Sequence, residues 1–330
     1  MKLFEEGKEV IRGVLDGNDI WILIGSVLYK ANKKGSLNKV TTIPDDFCSG
    51  RHWGFNMRIG GASILLFSSV NQNVWKIDKN ELSYKTFNSN FEEEEKDYFV
   101  QPLGEGRNLL ISVKEGNAII FDNTGKFEDF TECTREIKKE LENRHLHFRN
   151  IRYYGTQIEG NELLTGVRTE ERDIFVFLDN HSLRINRIVE PKSASEKISD
   201  FLLDGDYLWL RSKSGVNQIA KYDIRENRVC KSIDLPEEFG RRVLIRKVNK
   251  EIFLISVKGC IGIIDEEMNE ARILKSGNYT PLDIDIDESI RILCRDEKQV
   301  HLFEYNDRDF DEAVNIPLKT DLSVFLDMII

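Results

Sequence analysis

The sequence predicts an all-β protein in which one four-stranded unit recurs seven times, and three observations carry that prediction. The first is a likeness between two distant stretches. Gly205 to Pro236 reads GDYLWLRSKSGVNQIAKYDIRENRVCKSIDLP, and Gly17 to Pro44 reads GNDIWILIGSVLYKANKKGSLNKVTTIP. Each runs turn, apolar strand, turn, a second strand ending in Lys-x-(Asp/Asn), turn, and a third strand ending in Pro. The second observation is periodicity. The polar residue closing that second strand recurs at Asn32, Asp78, Asp122, Asp179, Asp223, Asp265 and Asn306, with gaps of 46, 44, 57, 44, 42 and 41 residues. The third is the strand before it, which reads IWILI, ILLFS, LLISV, LLTGV, LWLRS, IFLIS and IRILC. Runs this apolar suit strands covered on both faces.

Each unit completes itself with an earlier and a later strand. The earlier one reads VIRGVL, FNMRI, YFVQPL, IRYYGTQI, ISDFLL, VLIRKV and PLDIDI, and a turn signal such as DGND, GGAS or DGDY follows it. The later one reads KVTTIP, SYKTF, FEDF, RINRIV, VCKSIDLP, EARILK and EAVNIP. We name the four strands A to D. The units span residues 9–45, 54–88, 98–130, 150–190, 198–236, 242–275 and 281–317.

Four antiparallel strands repeating every ~40–45 residues are the signature of a β-propeller blade. One such sheet cannot bury both faces alone. Stacked radially and closed into a ring, each is sandwiched by two neighbours and only short edges stay open. The sequence therefore predicts a single-domain, seven-bladed propeller of four-stranded antiparallel blades. Six or eight blades are the alternatives, because strand D is the weakest signal.

Two stretches stand outside the repeat. Residues 131–147 contain Cys133, Ile137 and Leu141 at helical spacing after Phe130, which predicts a short amphipathic helix inserted between units three and four. Asp129 with Glu132 three residues on is the candidate cap. Its apolar stripe is expected to pack on the propeller. The tail, residues 319–330, ends in LSVFLDMII and is expected to close the ring by pairing near residues 2–5.

Composition narrows the function classes. Apolar residues make up 40% and charged residues 32% of the 330, which is ordinary globular composition. A net charge of −10 argues against a general nucleic-acid binder and against anionic membrane surfaces. The N-terminus MKLFEEGKEV lacks the apolar run of a signal peptide, and no window has the ~20 apolar residues of a span. Cys48, Cys133, Cys230, Cys260 and Cys294 form no CxxC pair. Reduced thiols in a cytoplasmic, monomeric ring are the expectation.

At the strands just quoted, the chain resembles bacterial β-propeller repeat proteins of the Kelch-like, NHL-like and WD40-like class. Trp-bearing B strands followed by a KxD-type C strand carry the resemblance. It covers nearly the whole chain but matches no specific family. There is no recurring Trp-Asp dipeptide, no Gly-Gly pair with the kelch aromatics, and no Asp-box. The resemblance implies a fold used mostly for binding and transfers no catalytic residue.

In such an order, the D-to-A and B-to-C loops share one face around the mouth of the central channel. Several of these loops are cationic and aromatic within an acidic protein. CSGRHWGF supplies Arg51, His52, Trp53 and Phe55. NRHLHFRNIRYYG supplies His145, His147, Arg149, Arg152 and Tyr154, besides Arg144. EEFGRRVL supplies Arg241 and Arg242, and Tyr279 lies in the sixth such loop. Arg, Trp and Tyr are enriched at binding hot spots, and Arg clamps carboxylates and phosphates with two hydrogen bonds. The competing reading pairs these cations with local carboxylates such as Glu92 to Glu95.

Other constellations are weaker. His145 and His147 form H-x-H, which on a strand would aim both rings one way, but only His52 is placed to join them. Asp283, Asp285 and Asp287 fail the EF-hand pattern, because Cys294 stands where Glu is required, and charge-paired channel lining beside Arg12 and Arg246 is the favoured reading. No phosphate loop, G-x-S-x-G or H-E-x-x-H is present. No metal and no cofactor are expected. The sequence reads as a non-enzymatic module that recognises a protein or peptide partner, or a ligand, at the channel mouth. The alternative is an enzyme or a binder of a small anionic ligand, sugars included, at the same place.

Overall fold

The computed structural model describes residues 11–31, 36–43, 55–68, 73–88, 98–104, 106–112, 118–122, 127–129, 131–146, 152–170, 172–191, 197–212, 217–240, 243–248, 251–256, 259–265, 270–286, 290–296, 299–305 and 310–317. Their strands form seven four-stranded antiparallel sheets, each in the sequential order A-B-C-D. The fold is an all-β propeller with these sheets as blades.

Tight turns account for the order. Strands A and B meet through two-residue loops, with Asp16 opposite Asp19, Glu159 opposite Glu162 and Asp204 opposite Tyr207. Gly205 opens its loop at φ 60°, a left-handed value that a two-residue hairpin demands at its first central position.

The periodic polar residue turns out to be the cap of the C-to-D turn. Asp179 Oδ1 accepts from the amides of His181 (3.1 Å) and Ser182 (2.7 Å) and from the Ser182 hydroxyl (2.8 Å). Asp78 does the same for Asn80 and Glu81, and Asp223 for Arg225 and Glu226. These are Asx-turns, in which a short carboxylate replaces water on amides leaving the ladder. The bonds hold the carboxyls of Asp78 and Asp179 below the usual carboxylate range, the backbone amides being the largest cause.

The core is divided among the seams between sheets. Trp209, Ile219 and Ile233 of the fifth sheet pack with Phe239, Val243 and Leu254 of and before the sixth. Trp21 and Leu23 of the first pack with Met57, Leu66 and Trp75 of the second. Leu293, Val300 and Leu302 of the last sheet pack on Leu15, Ile20 and Ile22 of the first, so the ring closes face to face. The remaining seams carry clusters of the same kind. A buried tryptophan removes about 150–250 Å² from water, equivalent to about 4–6 kcal/mol of transfer free energy. Single hydrogen bonds contribute about 1 kcal/mol. Stacked faces, not edges, hold the ring.

Polar latches between innermost strands add to that packing. Asp283 Oδ2 accepts from the Leu15 amide at 2.8 Å, and Asp200 Oδ2 from the Ile245 amide at 2.7 Å. Gln157 donates to the Phe201 carbonyl (2.6 Å) and accepts from the Leu203 amide (2.7 Å). The expected channel pairings are thereby refined. Asp283 holds a backbone amide of the next sheet, while Arg246 lies 3.5 Å from Asp200. Burial raises the Asp200 carboxyl, opposed by Arg246 and the Ile245 and Phe201 amides.

The inserted helix, α1 (Thr131–Asn143), is present. Cys133, Ile137 and Leu141 enter the cluster shared by the third and fourth sheets, as the apolar stripe predicts. Asp129, the candidate cap, ends strand D of the third sheet, paired with Ile119. The closing tail and residues 2–5 lie outside the described residues. Cys133, Cys260 and Cys294 are buried free thiols and Cys230 is exposed. No helix among the described residues is long and apolar enough to cross a membrane.

Candidate functional site

The A-B-C-D order places every B-to-C turn and D-to-A connection at one end of the sheets. This loop-bearing face is the candidate site. Its described parts are anchored by buried polar side chains at the ends of strand B.

Arg211 is the clearest anchor. It is buried at the end of strand B of the fifth sheet, Tyr207–Ser212. Its guanidinium donates to the Gln218 carbonyl (2.9 Å), to Asn217 Oδ1 (2.7 Å) and to the Gly240 carbonyl (2.9 Å). Asn217 in turn donates to the carbonyls of Leu235 and Pro236, both at 2.7 Å. One buried cation thus ties the B-to-C hairpin to the D-to-A connection, and burial lowers its pKa. Ser256 repeats the device in the sixth sheet, donating to the Phe239 carbonyl at 2.6 Å. In the fourth sheet, Arg168 makes a two-bond pair with fully buried Asp173, at 2.9 and 2.8 Å. Arg168 also donates to the Ile198 carbonyl (2.6 Å), and Asp173 accepts from the Ile198 amide (2.7 Å). The bonds made by Arg211, Arg168 and Asp173 are charge-assisted, the strong class.

The last sheet carries a further polar cluster. His301 is only 5% exposed, with Nε2 3.0 Å from Asp296 Oδ2 and Nδ1 against Glu312 Oε1. Its ring stacks on Phe303 at 5.7 Å and meets Tyr279 edge-on at 5.1 Å. Burial raises the Tyr279 phenol, with Glu312, Asp296 and Cys294 adding to the shift. Gly259, at φ 87°, clamps this loop: a Cβ there would lie 2.3 Å from the Gly277 carbonyl and 2.4 Å from the Tyr279 amide. The cluster braces the B-to-C turn, strand D and the incoming connection.

Among the residues singled out from sequence, Tyr279 belongs to this cluster as a half-buried packing residue. His145 sits at the end of α1, not on a strand. It takes φ 56° and donates its amide to Glu142 O (2.9 Å), while Leu146 N bonds Leu141 O (3.0 Å). That is the Schellman arrangement, with Leu141 and Leu146 in one cluster. The H-x-H geometry is therefore overturned at its first member, because the helix terminus dictates the backbone there. Arg144 is engaged by Glu140 (3.1 Å) and Glu190 (3.2 Å). Phe55, Arg152 and Tyr154 lie in A strands, Phe55–Gly60 and Arg152–Glu159, at the loop-bearing end. Arg51, His52, Trp53, His147, Arg149, Arg241 and Arg242 lie outside the described residues. Among the described residues no cluster of His, Cys, Asp and Glu could hold a metal ion. The sequence reading missed His301 and Arg211. Asp296 five residues before His301 was the local signal for the first, and a lone Arg closing an apolar strand for the second.

Comparison with solved structures adds to this geometry. The chain is similar to the Neurospora crassa Pan2 WD40 domain, at 10% identity over 88% of this chain and 87% of that one, with a TM-score of 0.55. It is similar to the WD40 β-propeller domain of Doa1, at 11% identity over 92% and 95%, with a TM-score of 0.59. A KlHsv2 variant with loop 6CD replaced by a Gly-Ser linker matches at 12% identity over 94% and 98%, with a TM-score of 0.54. The likeness is one of fold. No family model matches the chain, and no curated protein matches it.

Proposed function

We propose that this seven-sheet ring is a non-enzymatic protein-interaction module that holds an acidic peptide segment on its loop-bearing face. The observation that carries the reading is Arg211, a buried cation spent on fixing two connections of that face to each other. Connections held this firmly lose little entropy when a partner arrives, which is how preorganisation raises affinity. The WD40 propellers of similar fold support an interaction role for the same architecture. Arg51, His52, Trp53, Arg149, Arg241 and Arg242 supply the chemistry for a partner carrying carboxylates, with Trp53 as the aromatic anchor.

Affinity capture with the wild-type chain and with the Trp53→Ala/Arg149→Ala double variant tests this. The reading expects partners retained by the wild type to be lost by the variant at unchanged melting temperature. An identical retained set contradicts it.

A further inference from the structure

At the seam between the sixth and last sheets, a buried imidazole faces two carboxylates at once. His301 is the third residue of strand C of the last sheet, Gln299–Tyr305. Its Nε2 lies 3.0 Å from Asp296 Oδ2, and its Nδ1 contacts Glu312 Oε1. Ionised carboxylates only accept hydrogen bonds, and a neutral imidazole has one donor nitrogen and one bare acceptor nitrogen. A neutral ring therefore bonds one of the two acids and turns a lone pair on the other. A ring with hydrogen on each nitrogen bonds both.

The two acids are not held alike. Asp296 Oδ1 accepts from the Gln299 amide at 2.7 Å, and the Asp296 amide donates to the Gln299 carbonyl at 3.0 Å, so this acid is built into the B-to-C turn. Among the described residues, Glu312 has the Asn315 side-chain amide at 3.5 Å besides the ring. It is also the more exposed side chain, 42% against 34%. A neutral ring thus keeps its hydrogen for Asp296, and Glu312 is the acid that lets go.

The other groups around the ring come from four elements. Cys294 is directly opposite on strand B, and burial pushes its thiol up to about 12. Tyr279 of the incoming connection meets the ring edge-on, and burial, with Glu312, Asp296 and Cys294, raises its phenol. Both stay neutral, which leaves the ring's charge to the two acids. Asn315 is opposite on strand D, and Lys275 of the sixth sheet lies over the neighbouring Phe303 ring at 4.3 Å.

We propose that His301 and Glu312 form a pH-sensitive latch on the loop-bearing face, closed when both ring nitrogens carry hydrogen and opened at Glu312 when the ring is neutral. Glu312 ties strand D to the cluster that braces Tyr279 and the connection entering the last sheet, so opening loosens that part of the face. The added proton favours the closed latch, hence its stabilisation is present at low pH and lost as pH rises. The latch stands on this geometry; its consequence for a partner rests on the reading of the face as the partner surface.

Thermal unfolding of the full chain at about pH 5.5 and about pH 9, on either side of the ordinary imidazole range, tests it. Glu312→Gln sets against Nδ1 an amide that accepts from a protonated ring and donates to a bare nitrogen. The wild type is expected to melt above Glu312→Gln at the lower pH, and that gap to shrink by about 2 °C or more, or to reverse, at the higher. His301→Gln removes the titrating ring, and its gap to the wild type is expected to shrink in the same direction. Other titrating groups are common to the three chains and cancel in the gaps. A Glu312→Gln gap that is equal at the two pH values, or wider at the higher, overturns the proposal. Glu312 is half-exposed, so this variant reads the latch even where His301→Gln does not fold. No partner enters the measurement, so loss of capture in Trp53→Ala/Arg149→Ala leaves it untouched and the two readings fail separately.

Discussion

The side chain of Asp283 in the last sheet accepts a hydrogen bond from the amide of Leu15 in the first, at 2.8 Å, across 268 positions of sequence. It joins the two ends of the described ring at its innermost strands. Asp283→Ala leaves the Leu15 amide without its acceptor and is expected to cost about 1–3 kcal/mol. Asp283→Asn keeps an acceptor oxygen and recovers most of that. Urea unfolding midpoints at constant m-value read both. An alanine variant as stable as the wild type would show that the apolar seam of Leu15, Ile22, Leu293 and Leu302 closes the ring unaided.

The end of α1 offers a gain of stability. His145 takes a left-handed conformation that a Cβ disfavours, at φ 56°. His145→Gly relieves it and is expected to stabilise the chain by about 1 kcal/mol. A loss on that substitution would mean that the imidazole makes a contact of its own. The same substitution leaves partner capture unchanged if His145 is a cap and not a ligand.

Acid stability depends on the C-to-D turns. The carboxyls of Asp78 and Asp179 lie below their ordinary range because backbone amides and, for Asp179, the Ser182 hydroxyl bond the charged form. A depressed carboxyl contributes stability that is present above its unfolded pKa and lost as pH falls through its folded one. The window lies below about pH 4. The Asp78→Asn/Asp179→Asn variant is expected to show a flatter decline of urea midpoint across that window. An unchanged slope would place the acid sensitivity elsewhere.

Thiol chemistry separates the cysteines. Burial, aided by Glu136, pushes Cys133 up to about 12; burial also takes Cys294 to about 12, Lys275 opposing it, and burial with Glu238 takes Cys260 to about 11. Neutral, buried thiols are poor nucleophiles. Of these four, only exposed Cys230 is expected to react with a thiol reagent in the native state, and the others only with unfolding. Fast native labelling of Cys294 would show that the last sheet opens.

The periodic parts of the fold were legible because they obey local rules. Strands B and C are apolar on both faces because they sit between two sheets, and Asp78, Asp179 and Asp223 recur because each caps one turn. Trp21 and Trp209, the tryptophans of those apolar B strands, are fully buried at seams. What joins one sheet to the next was not legible. Asp200 meets Ile245 and Gln157 meets Phe201 and Leu203 across 44 or more positions, with no pattern in the chain to pair them. His301 was missed because its partners Glu312 and Tyr279 join it and Asp296 only after the sheet folds. His145 misled for a related reason: its role is set by the helix that ends before it.

The central claim is that partners are held on the loop-bearing face and not on the outer edges. Tyr84 is the described edge residue best placed to compete, 51% exposed and stacked on Trp75 at 4.4 Å. Partner capture by three chains decides between them: wild type, Trp53→Ala/Arg149→Ala, and Tyr84→Ser, each matched for melting temperature. The account predicts that capture is lost in the double variant and kept in Tyr84→Ser. Capture kept in the double variant and lost in Tyr84→Ser would contradict it.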